Sequence, residues 1–173
     1  TSVQDVDYTK LRERLLADKQ VLDWTGPRPT PPIDPKKLPG IVQDDEQAEK
    51  RGEWSKSNSI GGYIGTQYLH DNNDHKGELS VTFKLPLSKP GTYEVRLAYT
   101  ANPNRATNVP VTIHHATGES VVTVNQKKDP ADKIFQSLGK YAFDKEAIVA
   151  ISNAKTDGYV IVDAVQILPV DAK

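Results

Sequence analysis

Cysteine is missing from all 173 residues, and with it go disulfides, thiolate nucleophiles and zinc sites built on Cys. No run approaches the roughly 18 consecutive apolar residues of a membrane-spanning helix, and the charged-then-apolar plan of a signal peptide is absent as well. An excess of one charge is also lacking: 22 Lys and Arg stand against 23 Asp and Glu, a net charge of -1. With both signs interspersed, neither nucleic acid nor an anionic membrane surface is expected as a partner. Catalytic motifs are equally scarce. There is no nucleophile elbow, no base-activated serine and no convincing carboxylate pair. Gly61-Gly62-Tyr63-Ile64-Gly65 is followed by no helical pattern, so a dinucleotide-binding turn is not expected. The length suits one ordinary domain with an appendage.

The first patterned stretch is helical. Tyr8, Leu11 and Leu15 recur at i, i+3 and i+7 with Leu16 beside them, while Arg12, Glu13 and Arg14 face elsewhere. This predicts one amphipathic helix over about Asp7 to Asp18, with Asp5 or Asp7 as its cap. A helix of that length is marginal in water unless it docks on something. Six of the twelve prolines then fall between Gly26 and Gly40; they remove backbone donors and stiffen the chain, predicting an extended linker and a domain boundary. The expected organisation is therefore a helix within 1–25, a proline-rich linker over 26–40 and one domain over 41–173.

After Ile41 the period changes from 3.6 to 2. Leu79, Val81, Phe83 and Leu85 alternate with Ser80, Thr82 and Lys84, and Tyr93, Val95, Leu97 and Tyr99 alternate with Glu94, Arg96 and Ala98. Each run has one face to bury. Further strands are expected at Val109 to His115, Ser120 to Asn125, Leu138 to Phe143, Ala147 to Asn153 and Tyr159 to Leu168, with turns at Lys89-Pro90-Gly91, Thr117-Gly118 and Asp157-Gly158. The last run is apolar on both faces, which predicts a position central in a sheet.

A longer ordered series is more specific than any of these runs. Gly52-Glu53-Trp54, Gly62-Tyr63-Ile64-Gly65, Tyr68-Leu69-His70-Asp71, Lys76-Gly77-Glu78, Tyr93-Glu94-Val95, the stretch Asn102 to Val111 and the stretch Thr156 to Val165 together resemble the golvesin/xanthan-lyase carbohydrate-binding-like domain over about 41–169. The resemblance implies an all-β, jelly-roll-type β-sandwich of galactose-binding-like architecture, attached to secreted, periplasmic or envelope-associated bacterial enzymes. Val3 to Tyr8 and Leu11 to Leu15 resemble the end of a flavin-dependent oxidoreductase domain, which would supply the docking surface that the helix needs.

Sugar binding by a sandwich calls for aromatic faces, with amides, carboxylates or Arg for hydroxyl groups, gathered in a concavity. Two clusters offer these. The first is Trp54, Tyr63, Tyr68, His70, Asp71 and Asp74, with Tyr63 and Tyr68 the preferred platforms; Trp54 and one tyrosine could instead close the end of the core. The second is Asn102, Asn104, Arg105, Thr107 and Asn108. There Arg105 could fork onto a uronate, a sulfate or paired hydroxyls, or could tie the loops together through Asp71 or Asp74. His70, His75, His114 and His115 lack zinc-ligand spacing.

Asp163 shares a strand face with Ile161 and Val165, where a carboxylate is costly to bury without a donor or a cation. The similarity to galactose-binding-type sandwiches implies a structural calcium there, joining Asp163 to Asp44, Asp45 or Glu46; hydrogen bonds to loop backbone near Trp54 are the alternative. The sequence thus leads to a non-catalytic module that binds a polysaccharide or oligosaccharide through Tyr63, Tyr68, His70, Asp71, Asn102 and Arg105. Its parent catalytic domain would be a flavin-type oxidoreductase or a polysaccharide-acting enzyme. The competing reading is a structural module for domain packing or oligomerisation.

Overall fold

The computed structural model describes residues 30–170. The amphipathic segment expected over Asp7 to Asp18 and the first part of the proline-rich segment lie outside the described residues.

The alternating runs form antiparallel strands in the order in which they are read. Residues Ile41–Asp44 (β1), Glu49–Arg51 (β2), Ser55–Ser57 (β3), Tyr68–His70 (β4), Ser80–Pro86 (β5) and Gly91–Ala98 (β6) make up the first half. Val109–His115 (β7), Gly118–Val124 (β8), Phe135–Phe143 (β9), Glu146–Ser152 (β10), Ile161–Val162 (β11) and Ala164–Pro169 (β12) make up the second. They assemble into a four-stranded sheet β1-β12-β6-β9, a five-stranded sheet β2-β5-β10-β7-β8, and a small third sheet β11-β4-β3. One face of each large sheet meets the other. Val81, Phe83 and Leu85 from β5, Val111 and Ile113 from β7, and Val149 and Ile151 from β10 pack with Val95, Leu97, Val165 and Ile167 of the opposite sheet. This is the two-layer arrangement that a period of 2 demands, since neither sheet can bury its apolar face alone.

The final run differs from the single strand expected. It breaks at Asp163 into β11 and β12, which belong to different sheets. The cause is local: the carboxylate of Asp163 accepts from the backbone N–H of Ile64, at 3.0 Å to Oδ2 and 3.2 Å to Oδ1, which pulls the chain out of one ladder before it joins the next. β12 itself does lie centrally, between β1 and β6.

Its second apolar face is covered by the described end of the proline-rich segment. Ile33 and Leu38 pack with Ile64, Ala98, Phe135 and Ala164 on the outer side of the four-stranded sheet. Ile33 forms a parallel bridge with Ile64, donating to Tyr63 O at 2.7 Å and accepting from Gly65 N at 2.9 Å. Prolines confine this segment to an edge-like path, yet its few free N–H and C=O groups still pair. From Thr30 onward the segment runs along the sandwich as a strap.

Candidate functional site

The small sheet positions the site. In β3 and β4 the register pairs Ser55 with His70 and Ser57 with Tyr68, so these four side chains share one face. The loop Asn102 to Arg105 is brought against it by a parallel bridge between Arg105 and Tyr159, with Tyr159 N donating to Asn104 O and Ala106 N to Tyr159 O. Gly158 permits the approach: a Cβ there would stand 2.7 Å from the carbonyl carbon and oxygen of Arg105.

Between these elements opens a cleft of about 230 Å³ lined by Ser57, Ser59, Ile60, Tyr68, His70, Asn102, Asn104, Arg105 and Tyr159. Arg105 is 6% exposed. Its Nε donates to Thr100 O at 3.3 Å and its Nη1 to Asn104 Oδ1 at 3.1 Å, both neutral acceptors. Its guanidinium carbon stands 5.9 Å from the Tyr68 ring centre, a favourable cation–π distance. No carboxylate lines the cleft, although burying a cation without a counter-charge is costly. His70 titrates below its ordinary value because of burial and then the neighbouring Arg105, opposed by Asp71. At neutral pH the ring is uncharged. Its Nδ1 accepts from Asn72 N at 3.3 Å, which leaves the Nε2 proton as a donor.

Immediately beyond the Ser55–His70 rung lies a second depression of about 400 Å³, lined by Glu53, Trp54, Ser55, Asp71, Asn72, Asp74 and His75. Trp54 is half-buried against the core, with Nε1 donating to Arg51 O at 3.3 Å. Asp71 forms its rear wall but is consumed internally. Its carboxylate accepts from Lys76 Nζ at 2.7 Å, Val160 N at 2.9 Å, Asn73 N at 3.0 Å and Asn153 Nδ2 at 3.2 Å.

A nest of carboxylates sits at the break before β12. Asp44 pairs across the ladder with Ala164, beside Asp163. Gly65 follows the residue whose N–H holds Asp163, and a Cβ at Gly65 would collide with Asp44 Oδ2. Glu46 accepts from the hydroxyl of Thr66 at 2.8 Å. Asp45 is fully buried, and neither of its carboxylate oxygens finds a hydrogen-bond donor, although Gln67 is near. Burial raises Asp44 to about 6 and Asp45 to about 7, with Asp44 itself the next cause for Asp45. Asp163 is pushed well up, chiefly by burial. The two orphaned oxygens of Asp45 are ligands of the kind that a hard cation takes. Among the described residues no group of three or more acidic or histidine side chains is placed to hold a metal ion, so a cation here would need main-chain carbonyls and water as ligands.

Residues 41–169 match the Golvesin C-terminal domain family. The chain belongs to that family. The chain is 34% identical over 149 residues to xanthan lyase of Bacillus sp. (strain GL1), covering 80% of this chain and 16% of that protein. The structure of Paenibacillus xanthan lyase aligns at a TM-score of 0.71 with 35% identity, over 75% of this chain and 13% of the other. The same fold recurs in the Podospora anserina GH26-CBM35 β-(1,4)-mannanase at a TM-score of 0.58 and 16% identity, over 77% and 28% of the two chains. The chain therefore spans a small part of the length of each.

Of the residues expected to bind, Tyr68, His70, Asn102 and Arg105 come together in one cleft. Tyr63 does not: it packs against the core, with its ring 6.1 Å from that of Tyr68. Asp71 faces inward, and its cation is Lys76; Arg105 reaches neither Asp71 nor Asp74 but holds its own loop. Thr107 is likewise turned away, its backbone N–H donating to Asp157 at 2.6 Å, and Asn108 Nδ2 donates to Lys155 O at 2.9 Å. Tyr68 is buried, 2% exposed, with its hydroxyl accepting from Ser57 Oγ at 3.2 Å, so it is not an open platform. Tyr159, half-exposed, takes that place and was read from sequence only as a strand residue. Its position one residue after the turn glycine Gly158 was the available signal. Asp163 bonds Ile64, not backbone near Trp54.

Proposed function

We propose that this golvesin domain is a non-catalytic carbohydrate-binding module of a polysaccharide-acting enzyme. The observation that carries this reading is the cleft at Arg105: a buried guanidinium without a carboxylate partner among the described residues, a neutral imidazole, two asparagines and a tyrosine, gathered where the loop 102–105 meets the small sheet. Hydroxyl-rich ligands are recognised by such convergent planar donors beside an aromatic face. Kinship with two xanthan lyases supports the polysaccharide context. A flavin-type oxidoreductase as the parent rests only on residues 3–15, which lie outside the described residues, and we favour the polysaccharide-acting parent. Of the one acid/base-like cluster in the sequence, His70 and Asp71 with Asp74 and His75 following, the His70–Asp71 part makes a poor catalyst because four internal donors hold Asp71. Tethered weak binding would raise local substrate concentration around the parent catalytic domain, acting outside the cytoplasm in a secreted or envelope setting. A packing or oligomerisation module would present a contiguous apolar patch, whereas Val121 is the one exposed large hydrophobic among the described residues.

A structural calcium beside Asp163 and Asp44, completed by main-chain carbonyls and water, forms part of the proposal; it would neutralise the nest and clasp the loop 64–67 to β1 and β12. Affinity electrophoresis and calorimetry of the 173-residue chain against neutral and acidic polysaccharides test the central claim. Binding to at least one is expected, and binding to none overturns it.

A further inference from the structure

We propose that the two depressions form one groove along β3 with a fixed polarity: an anionic sugar residue, bearing carboxylate or sulfate, at Arg105, and a neutral sugar residue at Trp54. This rests on the glycan-binding reading and adds both the charge of the ligand and its direction.

The geometry supplies the continuity. Ser57 lines the Arg105 cleft and Ser55 lines the Trp54 depression. They project from the same face of β3, two residues apart, which is about 7 Å along a strand. That is the scale of one unit in a sugar chain, so successive residues of a single ligand can occupy both.

Charge supplies the polarity. At the first position Arg105 is more than nine-tenths buried and lines the cleft; among the described residues its Nη2 has no acceptor, and no carboxylate is present to compensate it. An incoming carboxylate or sulfate provides the missing counter-charge through a charge-assisted bond in a partly desolvated site, where such bonds are strongest. A neutral hydroxyl would leave the buried cation unbalanced. At the second position the lining reverses sign. Glu53 and Asp74 are exposed carboxylates beside half-buried Trp54 and exposed Asn72. They repel an anionic group and accept hydrogen bonds from hydroxyls, while the indole offers the apolar surface that a pyranose face needs.

The test is calorimetry on the unsubstituted chain with three tetrasaccharides of equal length, one carrying glucuronate, one carrying sulfate esters and one uncharged, together with free glucuronate. The acidic tetrasaccharide is expected to bind at least about tenfold more tightly than the uncharged one, a gap of about 1.4 kcal/mol, and to lose that advantage in 0.5 M salt. Whichever of the carboxylate and sulfate ligands binds more tightly identifies the anion. Arg105→Gln should abolish the gap. Trp54→Ala should weaken the tetrasaccharide severalfold and leave free glucuronate unchanged. Equal affinity for acidic and uncharged ligands overturns the anionic assignment while glycan binding stands. An unchanged tetrasaccharide affinity in Trp54→Ala overturns the two-unit groove. No binding of any of the four overturns the glycan reading and this inference with it. Should Arg105→Gln fail to fold, the comparison of ligands on the unsubstituted chain decides the matter alone.

Discussion

Asp71 illustrates how a residue with the chemistry of a ligand becomes a structural one. Its side chain is wholly buried, and it binds Lys76, two backbone amides and Asn153, itself fully buried and bonded to Gly77 N at 2.9 Å and Leu79 N at 3.2 Å. Replacing Asp71 with Ala leaves the part-buried Lys76 without its counter-charge and several buried donors unpaired, a loss of about 3 kcal/mol by the usual range for broken buried pairs. Urea unfolding of Asp71→Ala should show that loss. Asp45 works in the opposite direction. Burial lifts it to about 7 and Asp44 to about 6, against 3.8 in the unfolded chain. The native state therefore binds more protons than the unfolded state between about pH 4 and 7, and stability falls as pH rises through that window. Asp157, lowered by its bonds to Thr107, has the reverse sign, but its contribution is lost only as pH falls below the ordinary carboxylate value. In chelator the melting temperature should drop as pH rises from about 4 to about 7, with the slope reduced in Asp45→Asn. A flat profile in the unsubstituted chain would contradict this account.

Among the elements, the strands were legible because their faces alternate without ambiguity: Val81, Phe83 and Leu85 inside, Ser80, Thr82 and Lys84 outside. The break at Asp163 was not. An aspartate within an apolar run marks a buried polar group, but only the fold shows that Ile64 N satisfies it and that the ladder must break there. The proline-rich strap was hidden for a similar reason. Proline content sets the backbone's stiffness and says nothing about where Ile33 and Leu38 pack. Half of the cleft was legible too, since loop polar residues beside aromatics carry a chemical signal. Which tyrosine is open depends on packing, and there Tyr68 and Tyr159 exchange the roles that residue type alone suggests. The strap invites a prediction. Ile33 and Leu38 are half-buried on the outer sheet face, so replacing both with Ser should destabilise the chain by about 2 kcal/mol, discounted from full burial of two aliphatic side chains. Thermal and urea unfolding measure this, and an unchanged midpoint would mean that the strap rests on the sheet without stabilising it.

At the scale of the molecule, the carboxylate nest and the cleft are linked by one short path. Asp163 holds Ile64 N, and Asp44 stands where a side chain at Gly65 would be; three residues after Gly65, β4 begins and carries Tyr68 and His70 into the cleft, while β11, just before Asp163, pairs with β4 through Ile161 and His70. A cation in the nest would neutralise Asp45 and stiffen this path from both ends. Calcium should therefore raise the melting temperature at pH 7 and, through a better-ordered β4, tighten glycan binding severalfold without contacting the sugar. Because the two ligands would act through a shared element, the coupling must be reciprocal: saturating glycan should strengthen calcium binding by the same factor. Calorimetric titrations in both orders measure each side of that cycle. Tighter glycan binding without any change in melting temperature would place the cation at the sugar itself. A rise in melting temperature with unchanged affinity would leave the nest as a purely structural clasp.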